Sequence, residues 1–210
     1  MFNLDVHVYS LPIRAARYNA CGIRFRLGLR PAMIEPTEKP ISHIEVAPAR
    51  PGQESVMANL LELYAHDFSE FHDLEIGADG RFGYKWLPLY WSDPGRHPFL
   101  VWVGGKLAGL ALVKRGSEVS GNETAWDMAE FFVLRGYRGR GIGTHIAHEV
   151  WRRFPGQWEV RVMQSNVSAH HFWARAISNF TGEAIQPIRV EHDGECWKLF
   201  SFESPGVATG

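Results

Sequence analysis

The sequence predicts a mixed α/β fold, an α+β arrangement whose front half is largely antiparallel. Three observations predict it. Two apolar runs, Phe99–Val103 and Leu107–Arg115, flank Gly104-Gly105, a strong hairpin signal. A second pair of runs, 183–191 and 195–203, flanks Asp193-Gly194 in the same way. Between the hairpins lie a strand-like stretch at 125–134, a glycine-rich turn, and segments with apolar residues at helical spacing. The order is strand, helices, three strands, helix, strand, helix, two strands, which is not the regular alternation of a doubly wound sheet.

Each element has its own signal. Ile41–Ala47 alternates as a short strand, and Pro51 to Ala65 reads as a helix with Val56, Leu60, Leu61 and Tyr64 on one stripe. A weaker second helix is expected over Asp67–Leu74. Residues 75–98 carry turn signals (Asp79-Gly80, Pro88, Asp93-Pro94-Gly95, Pro98) yet hold Phe82, Tyr84, Trp86, Tyr90 and Trp91. A long loop this aromatic is either functional or folded back on the core. Thr144 to Phe154 is amphipathic, with Ile142, Ile146, Val150 and Phe154 at spacing four, and Pro155-Gly156 ends it. Trp158–Met163 is a short strand of buried type. Asn166 or Ser168 can cap the next helix, which is expected to reach about Ser178.

Length and composition bound the rest. The chain has 210 residues, 45% of them hydrophobic and 13% aromatic, with eight Trp, which suits one domain with a sizeable core. A net charge of −1 gives no global field for nucleic acid or membrane. Two cysteines, Cys21 and Cys196, argue against a disulfide framework and fit a reducing cytoplasm. No run is long enough to span a bilayer, and the first twenty residues lack the apolar region of a signal peptide. Residues 1–40 stand apart, with six basic residues against three acidic ones and three prolines near their end. They read as an extension outside the core, partly disordered or upstream sequence; a basic arm or targeting segment is the sharper alternative. The core domain is expected over 41–203 and a flexible tail over 204–210.

The chemistry centres on Arg138-Gly139-Arg140-Gly141-Ile142-Gly143-Thr144. A strand, then a turn with three glycines and two arginines, then a helix N-terminus, is suited to hold phosphate: backbone N–H groups converge, and the helix dipole adds to them. No Gly-Lys-Ser/Thr follows, so this is not a Walker loop. The spacing Gly139-x-Gly141-x-Gly143 is not that of the dinucleotide fingerprint. What remains is Arg-x-x-Gly-x-Gly, from Arg138, Gly141 and Gly143. In its setting (a strand ending Phe-Phe-Val-Leu, the turn, an amphipathic helix, a strand, then Asn166-x-x-Ala169) it resembles the acyl-CoA loop of the GNAT superfamily of N-acetyltransferases. The element order from about 41 to 203 is also similar.

The resemblance implies a central mixed, mostly antiparallel sheet of six to seven strands flanked by helices, splayed between the fourth and fifth strands. It implies acetyl-CoA, or another short acyl-CoA, as co-substrate, with no metal. Pantetheine would pair with backbone of Phe132, Val133 and Leu134. The N–H groups from Arg138 through Gly139, Arg140, Gly141, Ile142 and Gly143 to Thr144 would cradle the pyrophosphate, and Asn166 would help fix the cofactor arm or simply cap its helix. Glu130 is the first choice for the base that takes the amine's proton, and Asp127 the second. Strict alternation puts the two acids on opposite faces unless a bulge intervenes. Glu130 can also be read as a structural acid that pairs with a buried base or a substrate ammonium. The position where relatives often carry a tyrosine acid is Trp173, which cannot donate in that way but could pack on pantetheine; the acid would then be solvent, His170, His171 or absent.

The acceptor is expected to be a small-molecule or peptide amine, with Tyr84, Trp86, Tyr90 and Trp91 as its wall and Glu62, Asp67 and Glu70 favouring a cation. No nucleic-acid or membrane partner is expected, and a homodimer stays open. The rival readings are an inactive acyl-CoA-binding sensor, which Trp173 would suit, and a nucleic-acid binder using the basic arm. His145, His148 and Glu149 have the wrong order for a zinc motif and read as a solvated helix face.

Overall fold

The computed structural model describes residues 43–205; the expectations for the N-terminal extension and most of the C-terminal tail lie outside the described residues. Seven strands form one sheet in the order β1-β2-β3-β4-β5-β7-β6. The strands are β1 (Ile44–Pro48), β2 (Arg96–Val103), β3 (Lys106–Arg115), β4 (Trp126–Val133), β5 (Gly156–Met163), β6 (Ile188–His192) and β7 (Glu195–Ser204). Every neighbouring pair is antiparallel except β4 and β5. Both hairpins form at the expected places, each turning through two residues at positive φ: Gly104 and Gly105, then Asp193 and Gly194. The last strand takes in Ser204, which is buried and donates its hydroxyl to the Trp151 carbonyl at 2.8 Å.

Three helices cover the sheet: α1 (Glu54–Phe68), α2 (Ile142–Arg153) and α3 (Val167–Thr181). Met57, Leu60 and Leu61 of α1 are buried with Leu100, Leu110, Leu112 and Phe132 of the sheet. The opposite face buries Ile142, Ile146, Val150 and Trp151 of α2 and Trp173 and Ile177 of α3 against Val101, Ala111 and Val160. The apolar stripes at helical spacing thus become the contact faces.

No separate helix forms over 67–74. The α1 helix absorbs Asp67 and Phe68 and stops at Ser69, whose N–H bonds to Ala65 O at 2.8 Å and whose hydroxyl donates to His66 O at 2.7 Å. The aromatic loop contains a short 3-10 turn at Leu87–Trp91 with proline in its first positions. The β6 strand starts at Ile188, later than the apolar run suggests, because Pro187 has no N–H for a ladder.

Two features of β4 shape the centre. First, β4 and β5 pair only at Trp126–Trp158 and Asp127–Glu159, and beyond Asp127 they part. The paired end is closed by an aromatic cluster, with Phe154 lying 4.7 Å from both Trp126 and His97, centroid to centroid. Second, the β3–β4 register slips between Leu112–Glu130 and Val113–Met128, so Ala129 is the extra residue of a β-bulge.

Candidate active site

The bulge decides where the acids point. Met128 and Val133 pack on the side of α2 and α3, whereas Ala129 and Phe132 pack on the side of α1. With one residue inserted, Asp127 and Glu130 lie on the same face, the α1 face. The expectation from strict alternation is therefore corrected: a bulge overrides the period of two.

Where β4 and β5 part, a cavity of about 300 Å³ opens. Glu130, Arg161, Trp173 and Asn166 line it, together with rings from α1 and the segment after it. Tyr84 donates its hydroxyl to Glu130 Oε1 at 3.0 Å, and Tyr64 lines the cavity beside the same carboxyl. Burial pushes the Glu130 carboxyl above the usual glutamate range, while Arg161 and the two tyrosine hydroxyls pull against that shift. Glu130 is half-buried: protein crowds around it, and the cavity lets solvent reach it. Burial and the neighbouring Glu130 raise both tyrosines, so they remain neutral donors.

Arg161 of β5 occupies the vertex of the splay. Its guanidinium pairs with Asp127 and donates to the carbonyl of the bulge residue Ala129 at 3.3 Å. Lys114 of β3 lies 3.9 Å from the same Asp127 carboxylate. Burial works against the guanidinium's charge, but the carboxylates of Asp127 and Glu130 outweigh it and hold Arg161 above its ordinary value. Asp127 is therefore tied into a buried ion pair, and Glu130 is the acid that faces the open space. The sequence reading did not single out Arg161 or place Tyr64 in the site. The signal for Arg161 is a lone cation between Val160 and Val162 in an apolar strand; such a residue needs a buried partner.

The glycine turn lies at the far end of β4. Gly139 and Gly141 take φ of 73° and 75°, the left-handed region, and Gly141 is the residue before α2. The backbone N–H groups of Gly139 through Thr144 have no hydrogen-bond acceptor among the described residues. Free donors converging at a helix N-terminus fit a pyrophosphate. Ile142 is buried in the core beneath the turn. Gly143 lies so close to α3 that a Cβ there would meet the Phe172 ring at 3.0 Å. Arg140 is exposed beside the free donors. Arg138 turns instead toward the sheet, donating to Val133 O and to Asp67 Oδ2, each at 2.6 Å.

Along β4, Leu134 N–H is spent on Ala108 O at 2.9 Å. By alternation Phe132 also faces β3, so Phe131 presents its backbone to the gap, as does the N–H of Val133, whose carbonyl is held by Arg138. Asn166 caps α3, accepting from Ala169 N–H at 2.9 Å, and also lines the cavity, so the cap does not take it out of the site. Trp173 is buried against Phe131 at 4.9 Å between centroids. His170 and His171 do not line the cavity.

Of the four aromatic residues expected to wall the acceptor, only Tyr84 reaches the cavity. Tyr90 belongs to the core under α1, with Arg96 over its ring at 5.4 Å, and Trp91 packs beside it. Trp86 is exposed, with the Lys85 ammonium 4.7 Å from its ring centroid. On α2, His148 Nε2 pairs with Ala176 O at 2.8 Å and Glu149 with Arg153 at 3.1 Å. Among the described residues no group of three potential ligands could hold a metal, and no helix is long and apolar enough to cross a membrane.

A sheet that is antiparallel but for one splayed parallel pair, with free N–H donors at a helix start and a carboxylate in the gap, defines an acyl-CoA-dependent acyltransferase fold. The family model for the acetyltransferase (GNAT) family matches residues 57–177, more than half of the chain, and the chain belongs to that family. Among solved structures it is similar to an acetyltransferase from Thermus thermophilus, at 17% identity and a TM-score of 0.56, over 78% of this chain and 98% of that one. It is also similar to Arabidopsis thaliana NAA60 in complex with a bisubstrate analogue, at 16% identity and a TM-score of 0.54, over 79% and 100%. A spermidine N-acetyltransferase from Vibrio cholerae, in complex with CoA and spermine, aligns at 14% identity and a TM-score of 0.50, over 77% and 95%. These likenesses establish the fold. No curated protein matches the sequence.

Proposed function

We propose that this protein is an N-acetyltransferase that moves an acetyl group from acetyl-CoA to an amine, with Glu130 as the base. One observation carries the reading: the bulge at Ala129 turns Glu130 into the cavity where β4 and β5 part, while Asp127 is consumed by Arg161. The free N–H groups from Gly139 to Thr144 would hold the pyrophosphate, the backbone of Phe131 and the N–H of Val133 the pantetheine arm, and Asn166 and Trp173 the wall beside it. When bound, acetyl-CoA supplies a thioester carbonyl open to attack by nitrogen.

The chain's own residues supply the proton chemistry. The amine must lose a proton to attack; Glu130 accepts it, directly or through a water. The new N–C bond forms as the C–S bond breaks, giving an amide and a thiolate. No tyrosine acid stands at Trp173, so the thiolate is protonated by solvent; a free thiol has a pKa of about 8.5, which makes it a tolerable leaving group. Tyr84 donates to Glu130 and keeps it aimed, with Tyr64 beside it.

The test is thiol release from acetyl-CoA with a panel of amines. Wild-type protein should release thiol in an amine-dependent way, and Glu130→Gln should lower kcat by about 10²–10⁴-fold. CoA affinity should be unchanged in the variant, because the glutamate lies away from the phosphate turn. Tight CoA binding with no turnover of any amine would instead make the protein a sensor, the reading Trp173 favours.

A further inference from the structure

The acids around the acceptor side are largely spent. Glu62 accepts N–H bonds from Phe82 at 2.8 Å and Gly83 at 3.1 Å, and lies 3.6 Å from Arg81. Asp67 is shared between Arg135 and Arg138. Glu70 does not line the cavity. What remains is Glu130 within and Glu75 at the exposed edge. A second positive charge on the acceptor would also meet Arg161, which lines the same cavity.

The walls on this side are apolar. Leu61, Tyr64 and Phe68 come from α1, and Leu74, Phe82 and Tyr84 from the segment after it. Tyr64 and Phe68 stack at 5.6 Å. Leu61, Tyr64 and Tyr84 pack with the core on the α1 side of the sheet, Phe68 belongs to α1 itself and Phe82 is bonded through its N–H to Glu62 of α1, whereas α2, which begins at the phosphate turn, packs on the other face. The rings therefore bound the acceptor's half of the cavity. A neighbouring cavity of about 600 Å³ shares Phe82 and Tyr84 with the first and extends outward past Leu87 and Pro88; its acids are Glu62 and Asp79, both accepting backbone N–H bonds with Arg81 beside Glu62, and the exposed Glu75.

From this placement we infer that the acceptor is a primary monoamine carried on an aromatic or apolar body, an arylalkylamine in its simplest form. Glu130 is the one carboxylate inside the inner cavity that an ammonium can meet, and a ring or branched chain is what the walls there can bury. Polyamines and aminoglycosides need several buried acids, and beyond Glu130 the acids here are bonded to backbone N–H groups or exposed to solvent. The inference rests on the acetyltransferase reading of the same site.

The experiment uses the full chain with acetyl-CoA and follows thiol release with 2-phenylethylamine, tryptamine, spermidine, kanamycin, lysine and a short peptide with a free N-terminus. The two arylalkylamines should have kcat/KM at least about tenfold above the others, the scale of discrimination an apolar pocket provides. Phe82→Ala should lower their kcat/KM by about tenfold while leaving the KM for acetyl-CoA unchanged. Its backbone N–H can still bond to Glu62. Leu74→Glu should move the preference toward spermidine. Turnover of spermidine, kanamycin, lysine or the peptide that equals or exceeds that of the arylalkylamines overturns the substrate class and leaves the acetyltransferase standing. No thiol release with any amine overturns both.

Discussion

A carboxylate placed like Glu130 loses most of its hydration, and burial raises its pKa. To act as a base it must still ionise near neutral pH. Arg161 opposes the burial from β5, and Tyr64 and Tyr84 oppose it from the α1 side; Asp127 adds to the upward push. Replacing Arg161 by Met removes the cation. The acid limb of the kcat/KM profile should then move to higher pH, because an acid relieved of a nearby positive charge holds its proton longer. Activity is lost first at low pH and returns as pH rises. Arg161→Lys keeps the charge and should restore most of the wild-type profile. A profile that falls in height without moving along the pH axis would sink this role. The same change leaves Asp127 buried with only Lys114 near it, at 3.9 Å, so Arg161→Met should also cost about 3–5 kcal/mol of stability in denaturant unfolding. Glu130 was readable in the sequence as an acid inside an apolar strand. Arg161 carried the same signal, but its partner lies 34 positions away, and no local pattern links them.

At the scale of elements, the strands and helices were readable because each buries one face. The stripe on α2 and the two hairpin turns fall where the apolar spacing and the glycine pairs put them. The bulge was not readable: it is a property of how β4 pairs with β3, and Ala129 has no side chain that announces it. Yet the bulge is what brings Asp127 and Glu130 to one face. The glycine turn is the opposite case, since its spacing and neighbours pointed to a phosphate site directly. Its geometry leads to a paired prediction. Gly141 has φ of 75° with open space where a Cβ would stand, and Gly136 also has open space but no positive φ. Gly141→Ala should therefore cost about 1–2 kcal/mol through backbone strain alone and weaken CoA binding measured by calorimetry. Gly136→Ala, just before the turn proper, should leave both stability and CoA affinity near wild type. Equal effects from the two substitutions would mean that conformation at 141 is not what holds the turn open.

Across the described residues, one polar clamp joins parts that are far apart in sequence. Asp67, near the end of α1, bonds to Arg135 at 2.7 Å and to Arg138 at 2.6 Å, and Arg138 also holds Val133 O at the end of β4. The clamp ties α1 to the strand that leads into the glycine turn. Nothing in the sequence links Asp67 to these arginines, which is why it read as a candidate for the acceptor's wall and not as a fastening. Burial pushes the Asp67 carboxyl up, but the bonds from Arg135 and Arg138 outweigh it and hold it below the usual aspartate range. The sign follows from linkage. A carboxyl whose folded pKa is depressed contributes stability that is fully present above its unfolded value, about 3.9, and is lost as pH falls through the lower folded value. Asp67→Asn removes that contribution at every pH. The variant should therefore be less stable than wild type at neutral pH, by a modest amount because solvent screens both guanidiniums, and the difference should shrink as the solution is made acid. Denaturant midpoints measured from neutral pH down past the aspartate range decide it. A gap that stays constant with pH would show that the carboxylate's charge is not what fastens α1 to the turn. A gap that closes, together with weaker CoA binding in the variant at neutral pH, would show that α1 and the glycine turn are held in place by the same ion pairs.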